Sequence, residues 1–159
     1  MQLQEKFLSF NLGEKDTAVI SLQNIIEVFQ ISLAEICAVP QIPSYVLGIY
    51  NWRGEMLWFV DLEEMLGYAP LSQDTNLFSK LMAIVLQSEG KSLGLLVRHI
   101  MDIEMLDKTQ MKYPDTQLFS SEMFPFLQGY FINTAEDIII SLDTRAMLQS
   151  PIWKNFANG

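Results

Sequence analysis

The chain has 159 residues, half of them hydrophobic and 18% charged, which suits one folded domain with its own core and excludes a disordered chain. Ten Lys and Arg against nineteen Asp and Glu give a formal net charge of −9. That balance argues against binding to nucleic acid or to an anionic membrane surface, because both require clustered basic residues.

The cysteine count and the first residues indicate the compartment. Cys37 is the single cysteine of the sequence, so neither an intramolecular disulfide nor a zinc site built from several cysteines can form. The opening residues MQLQEKFLSF lack the basic and then apolar pattern of a secretory signal. No apolar run approaches the ~20 residues of a membrane helix. We therefore predict a cytoplasmic protein with no direct membrane insertion.

The first half of the chain has the pattern of short β-strands. Residues 7–12 (FLSFNL) alternate between apolar and polar side chains, and a turn at 13–16 leads into a second apolar run. The strands predicted in this half are 7–12, 17–22, 25–31, 45–50 and 56–61. A short helix follows, with Asp61 as its N-cap and Glu64 in the capping-box position, and a polar linker covers 69–79.

The second half repeats this plan. Strands are predicted at 81–86, 92–97, 100–106, 127–131 and 137–143, followed by a short helix at 144–148. When the halves are aligned, Leu8, Phe10 and Leu12 fall on Met82, Ile84 and Leu86, Glu27-Val28 on Asp102-Ile103, Gly48 on Gly129, and Asp61 on Asp143. We predict a mainly β fold made of two similar small units that pack together.

Residues with catalytic potential are few. Phosphate-binding loops, dinucleotide-binding loops, zinc-protease motifs and nucleophile elbows do not occur, and His99 is the single histidine. Asp61 and Asp143 are better explained as N-caps than as an acid–base pair. We therefore predict no enzyme activity, no cofactor and no metal site. Trp52-Arg53, in a predicted turn, is the strongest binding candidate, although a purely structural role for the pair fits the sequence equally well.

The run PSYVLGIYNWRGEMLWFVDLEEMLGY at 43–68 resembles the CheW-type coupling proteins of bacterial chemosensory systems. The positions that match the pattern of that family are Gly48, Asn51, Arg53, Gly54, Asp61, Leu62 and Gly67. The flanking segments 7–29 and 92–106 resemble the family as well, so the likeness covers about residues 6–150.

This resemblance implies an all-β fold of two packed, SH3-like, five-stranded barrels. It implies one domain at 6–150, with subdomains at about 18–68 with 137–148 and at about 78–131, strands exchanged between them, and a tail at 151–159. It also implies a non-enzymatic adaptor that links the regulatory domain of a CheA-type histidine kinase to the cytoplasmic tips of methyl-accepting chemoreceptors. A response regulator is a further candidate partner.

The resemblance also assigns partner-binding residues. Ile25, Glu27 and Val28 lie on the strand expected to meet the receptor tip, although Glu27 could be an ordinary exposed carboxylate and Val28 a core residue. Trp52 and Arg53 lie in the motif turn. Leu96 and Val97 are expected to form an apolar groove between the barrels.

The sequence departs from the family pattern at several positions. Trp58 stands where proline is usual, Glu63-Glu64 where basic residues are usual, and Arg98 where many members carry aspartate. We expect these changes to alter the charge of the interface and to indicate a specialised pathway, such as pilus-driven or light-directed motility. Two alternatives stay open: a small-molecule-binding β-barrel sensor, and an adaptor that binds only a response regulator.

Overall fold

The structure, a computed structural model, describes residues 3–150 and Trp153. Its strands are β1 (Gln4–Leu12), β2 (Asp16–Ser21), β3 (Ile25–Ile31), β4 (Val46–Trp52), β5 (Glu55–Asp61), β6 (Leu81–Ser88), β7 (Lys91–Val97), β8 (Ile100–Asp107), β9 (Leu127–Ile132) and β10 (Ile138–Leu142). Two short helices follow β5 and β10, namely α1 (Leu62–Met65) and α2 (Thr144–Leu148). Each predicted strand and helix is therefore confirmed to within a few residues. No helix among the described residues is long and apolar enough to cross a membrane.

The strands form two five-stranded sheets that are copies of one another. Sheet A has the order β8-β1-β2-β10-β9 and sheet B the order β3-β6-β7-β5-β4. Replacing each strand of sheet A by its counterpart in the other half of the chain reproduces sheet B. In each sheet one pair is parallel, β10 with β2 and β5 with β7, and the other pairs are antiparallel. The predicted duplication is therefore present in the topology.

The predicted grouping of residues into subdomains needs correction. Sheet A combines β1 and β2 with β8–β10, whereas sheet B combines β3–β5 with β6 and β7. Residues 25–61 therefore lie in a different sheet from 138–142, with which they were grouped. The reason is that β3 pairs with β6 and β8 with β1, so that each half completes the sheet begun by the other.

The core has three parts. A central cluster between the sheets takes side chains such as Phe10 and Ile20 from sheet A and Ile84 and Leu95 from sheet B. Separate clusters fill the interior of each barrel, and they include Leu57, Phe59 and Leu96 in sheet B and Phe7, Val19 and Phe131 in sheet A. Trp153 packs against the central cluster at 8% exposure, so the predicted tail contains a core residue. The rest of 151–159 lies outside the described residues.

Gly48 allows two backbones to approach closely where sheet B closes. A Cβ atom at Gly48, whose φ is 141°, would lie 2.0 Å from the carbonyl oxygen of Cys37. Gly129 holds the equivalent place in sheet A, and a Cβ there would lie 2.5 Å from the carbonyl oxygen of Lys112. Both glycines are therefore required by the same contact, because any side chain would collide with backbone atoms.

Candidate partner-binding surface

The turn between β4 and β5 presents Arg53 to solvent. Trp52 pairs with Glu55, so Arg53 and Gly54 form a two-residue loop with φ values of 51° and 79°. Positive φ at both positions is the requirement of a type I′ hairpin turn. The side-chain oxygen of Asn51 accepts a hydrogen bond from the Gly54 N–H at 3.1 Å, which holds the loop in this shape.

Glu27 joins this turn to the edge strand β3. Its Oε1 accepts a hydrogen bond from Trp52 Nε1 at 2.8 Å and lies 3.0 Å from Arg53 Nη2. The Arg53 guanidinium also lies 4.9 Å from the centre of the Trp52 ring. Trp52 is buried, but the Arg53 side chain is 63% exposed, so this ion pair adds little stability and serves mainly to position the guanidinium. The structure thus brings three of the predicted residues together.

The other two predicted residues of β3 have different surroundings. Ile25 packs against the central core and is half-buried, whereas Val28 is 36% exposed beside exposed Ile26. β3 lies at the edge of sheet B, and Phe29 stacks on Tyr50 across the gap to β4 at a centroid distance of 5.7 Å. The exposed side chains of β3 therefore border the barrel at the place where its edges meet.

Leu96 and Val97 are not part of an accessible groove, which corrects the prediction. Both side chains are fully buried, Leu96 in the interior of barrel B and Val97 in the central core. The two side chains lie on opposite faces of β7, and both faces are covered by packed hydrophobic residues. Neither residue can contact a partner while the fold is intact.

The charged residues that differ from the family pattern have hydrogen-bonding partners within the fold. Arg98 Nε lies 2.8 Å from Glu63 Oε2, and Glu63 is fully buried. Arg98 also donates two hydrogen bonds to Asp74, and the guanidinium lowers the pKa of that carboxyl. Glu64 accepts a hydrogen bond from the hydroxyl of Ser44. The Glu63 carboxylate is therefore neutralised inside the fold, whereas Arg98 and Glu64 are partly accessible, and their expected effect on the interface charge stays a prediction.

An apolar stripe on β8 was missed by the sequence analysis. Met101, Ile103 and Met105 are each 52–56% exposed on the edge strand of sheet A. The alignment of the two halves could have indicated this stripe. It places Ile103 at the position of Val28, which was predicted to bind a partner. Exposed apolar side chains in a row commonly mark a contact surface.

The carboxylates and the histidine have structural positions. Asp61 and Asp143 cap α1 and α2, each accepting from a backbone N–H at 3.1 Å, as predicted. His99 is exposed, and its carbonyl accepts from the Asn11 N–H at 3.2 Å. Within residues 3–150 and Trp153 no group of three or more metal-ligating side chains is placed to hold an ion.

Comparison with known proteins identifies the family. The model of the CheW-like domain matches residues 6–151. A probable chemotaxis protein CheW of Rhizobium etli is 32% identical over 103 residues, a match that spans 64% of this chain and 61% of the length of that relative. The crystal structure of the scaffolding protein TtCheW from Thermoanaerobacter tengcongensis superposes with a TM-score of 0.72 at 22% identity, over 90% of each chain, and the shared fold is a pair of SH3-like barrels. The chain belongs to the CheW-like domain family.

Proposed function

We propose that this chain is a non-enzymatic coupling protein of a bacterial chemosensory system, joining a CheA-type histidine kinase to methyl-accepting chemoreceptors. Family membership over residues 6–151 supports a scaffold of this kind, as does the likeness to a relative described as a chemotaxis protein. The observation that carries the proposal is the exposed Arg53 guanidinium, held by Glu27 and Trp52 at the end of a rigid hairpin. Arginine beside tryptophan is a combination that often dominates binding energy at protein interfaces.

The two barrels offer separate contact surfaces. Barrel B presents Arg53 with the exposed Val28 of β3, whereas barrel A presents the apolar stripe of β8, which comprises Met101, Ile103 and Met105. A body with two surfaces can hold two partners at once, and binding to the first raises the effective concentration of the second. This organisation suits an adaptor in the cytoplasm that reaches the membrane only through its receptor partner.

The pathway is a finer part of the proposal. Pilus-driven or light-directed motility was inferred from departures in charge and from Trp58. Since Glu63 is buried and pairs with Arg98, the departures that stay partly accessible are Trp58, Glu64 and Arg98 itself. The partners themselves must therefore come from the genome of the same organism in any test.

The test is titration of the purified protein with a kinase regulatory domain and with a receptor tip fragment, by calorimetry and size exclusion. Arg53→Glu is expected to weaken binding to one of them by about 1 kcal/mol or more, with little change in melting temperature. Glu136→Lys is the matched control, because Glu136 lies in the equivalent turn of the other half and also has a positive φ, 65°.

Three outcomes would oppose the proposal. The wild-type chain could bind neither fragment, it could bind a response regulator alone, or a metabolite could raise its melting temperature while no protein binds it. The second result would favour the restricted adaptor and the third the small-molecule sensor. A large loss of stability in Arg53→Glu would make Arg53 a structural residue.

A further inference from the structure

The linker between α1 and β6 presents two large apolar side chains to solvent. Leu77 is 60% exposed and Phe78 is 78% exposed. Hydrogen bonds fold this part of the linker into a turn. The Asn76 side-chain oxygen accepts from the Phe78 N–H at 2.8 Å, and Ser79 Oγ accepts from the Asn76 N–H at 3.0 Å. We call these four residues the Phe78 turn.

The Phe78 turn is fastened to the body of the molecule. The Leu77 carbonyl accepts a hydrogen bond at 2.9 Å from the N–H of Ala34, which follows β3. Just before the turn, Arg98 donates hydrogen bonds of 2.8 and 3.1 Å to the Asp74 carboxylate. An apolar side chain on a loose linker can fold back onto the core, but these bonds prevent that here. The fold therefore holds Phe78 in solvent.

The chain also has a cavity of about 300 Å³ at the end of α1, which we call the α1 cavity. Two exposed apolar side chains border it, Leu118 at 49% and Ile138 at 41% exposure. The volume is at the lower limit of ordinary binding sites, roughly 300–1,000 Å³, and suits one aromatic side chain. Buried or half-buried apolar residues complete the lining, namely Leu66, Phe119, Met123 and Ile140.

The charges beside the turn and the cavity are complementary. Lys80 is exposed and lies two residues after Phe78. At the cavity, Asp16 is an exposed lining residue, and the exposed Glu122 lies against Gly67, which also lines it. A lysine that enters together with the phenylalanine would thus meet two carboxylates. The net charge of −9 repels like copies in general, so we expect a weak contact between two copies.

We propose that Phe78 of one copy of this chain inserts into the α1 cavity of a second copy. The turn is fastened next to β3 of sheet B, whereas β2 and β10 of sheet A contribute to the cavity, so unlike surfaces meet. An exposed apolar side chain and a matching cavity elsewhere on the same molecule produce such a head-to-tail contact. Each pair keeps one free turn and one free cavity, so association continues into a filament or closes into a ring. This inference goes beyond the proposed function, because it requires neither kinase nor receptor.

Sedimentation velocity of the purified full chain is the first test. Between about 5 and 500 µM the average sedimentation coefficient is expected to rise, with a Kd of roughly 10–500 µM. Phe78→Asp is expected to weaken association at least tenfold. Tyr113→Asp is the matched control, because it changes the net charge equally at an aromatic side chain that is 91% exposed outside both surfaces, and it is expected to have no effect.

The cavity is tested by Ile138→Lys, which places a cation where Lys80 of the second copy arrives. At least a tenfold loss is expected, although the smaller net charge of this variant lowers the general repulsion. Leu118→Lys, at an exposed position outside the strands, is expected to act alike and keeps the test valid if Ile138→Lys does not fold.

Mixing two variants gives the sharpest test. Phe78→Asp keeps an intact cavity and Ile138→Lys an intact turn, so neither alone is expected to associate. An equimolar mixture is expected to form a dimer of one copy of each and nothing larger, because that pair has neither a free turn nor a free cavity. Light scattering after size exclusion measures the mass.

Three results overturn the inference. The wild-type chain could stay monomeric up to about 500 µM, it could associate as strongly with Phe78→Asp as without it, or both cavity variants could associate normally, in which case the turn binds elsewhere. If the wild-type chain stays monomeric and the cavity variants instead weaken binding of a kinase or receptor fragment, that partner is the occupant and the inference is wrong. None of these results affects the proposed function, which is tested with the partner fragments.

Discussion

The segments around α1 and α2 have the same backbone arrangement in the two halves of the chain. Charged side chains are buried around α1, however, and exposed around α2. At α1 the capping Asp61 is buried and accepts a second hydrogen bond from the Leu71 N–H at 2.8 Å, and the next residue but one, Glu63, is buried against Arg98. At α2 the cap Asp143 is half-buried, and the residue equivalent to Glu63 is Arg145, which pairs with Glu89 in solvent. The duplicated topology therefore sets the helix and its cap, whereas the side chains decide whether the charges beside each helix are buried or exposed to solvent.

Breaking the buried ion pair beside α1 is expected to have the largest effect on stability. Arg98→Ala leaves the Glu63 carboxylate buried without its cation, a change that typically costs about 3–5 kcal/mol of unfolding free energy. Urea denaturation at pH 7 measures the loss. A loss below ~1 kcal/mol would show that water or a neighbouring group replaces the guanidinium. The Glu63 carboxylate would then not depend on Arg98.

The double variant Glu63→Arg/Arg98→Asp tests whether the two residues act as a pair. It places a basic residue at 63 and an acidic residue at 98, as in the family pattern, so it is expected to be more stable than either single variant. A double-mutant cycle is expected to give a coupling of about 1–3 kcal/mol. Strictly additive losses would mean that the two departures from the pattern are independent.

The stability contributed by the buried cap Asp61 is expected to depend on pH. Burial raises the pKa of Asp61 from 3.8 to about 6, although the N–H groups of Leu71 and Glu64 oppose the shift. The folded chain then binds this proton more tightly than the unfolded chain, so the contribution of Asp61 to the unfolding free energy falls as pH rises from about 4 to about 6.

Asp61→Asn tests this cap by the pH dependence of stability. We expect the unfolding free energy of the variant to lose about 2 kcal/mol less than that of the wild type between pH 4 and pH 7. Asp143→Asn, at the half-buried cap with the same geometry, supplies the baseline for the comparison. Parallel curves for wild type and Asp61→Asn would contradict the assignment of the raised pKa.

Local patterns in the sequence were sufficient for the strands, the caps and the duplication. Alternation identified 7–12 as a strand, and Asp61 and Asp143 were recognisable as caps from position alone. The exchange of strands between halves could not be predicted in this way, because alternation says which face is buried and not which strand lies alongside. The pairing of β3 with β6 is a long-range contact that only the folded topology specifies.

The errors at the candidate site have physical reasons too. Leu93–Val97 is a nearly continuous apolar run, the pattern of a strand buried on both faces, so Leu96 and Val97 could have been recognised as core residues. Glu63 stands where the family has a basic residue, and Arg98 where it has an acidic one. Such a reciprocal exchange indicates an ion pair, but the two positions were considered separately. The cluster of Glu27 with Trp52 and Arg53 depends on the meeting of the sheet edges β3 and β4, which the sequence pattern does not specify.

Arg145→Ala is the smallest expected change and the counterpart of Arg98→Ala. The Arg145–Glu89 pair has a short N–O distance of 2.7 Å, but its side chains are 61% and 59% exposed. Water therefore solvates both charges when the pair is broken, and the unfolding free energy is expected to change by less than ~0.5 kcal/mol. The same denaturation assay, repeated at high salt, provides the check, because screening should remove even this difference. A loss as large as that of Arg98→Ala would mean that the Arg145–Glu89 pair stabilises the fold as the buried pair beside α1 does. The contrast between the two halves would then not hold.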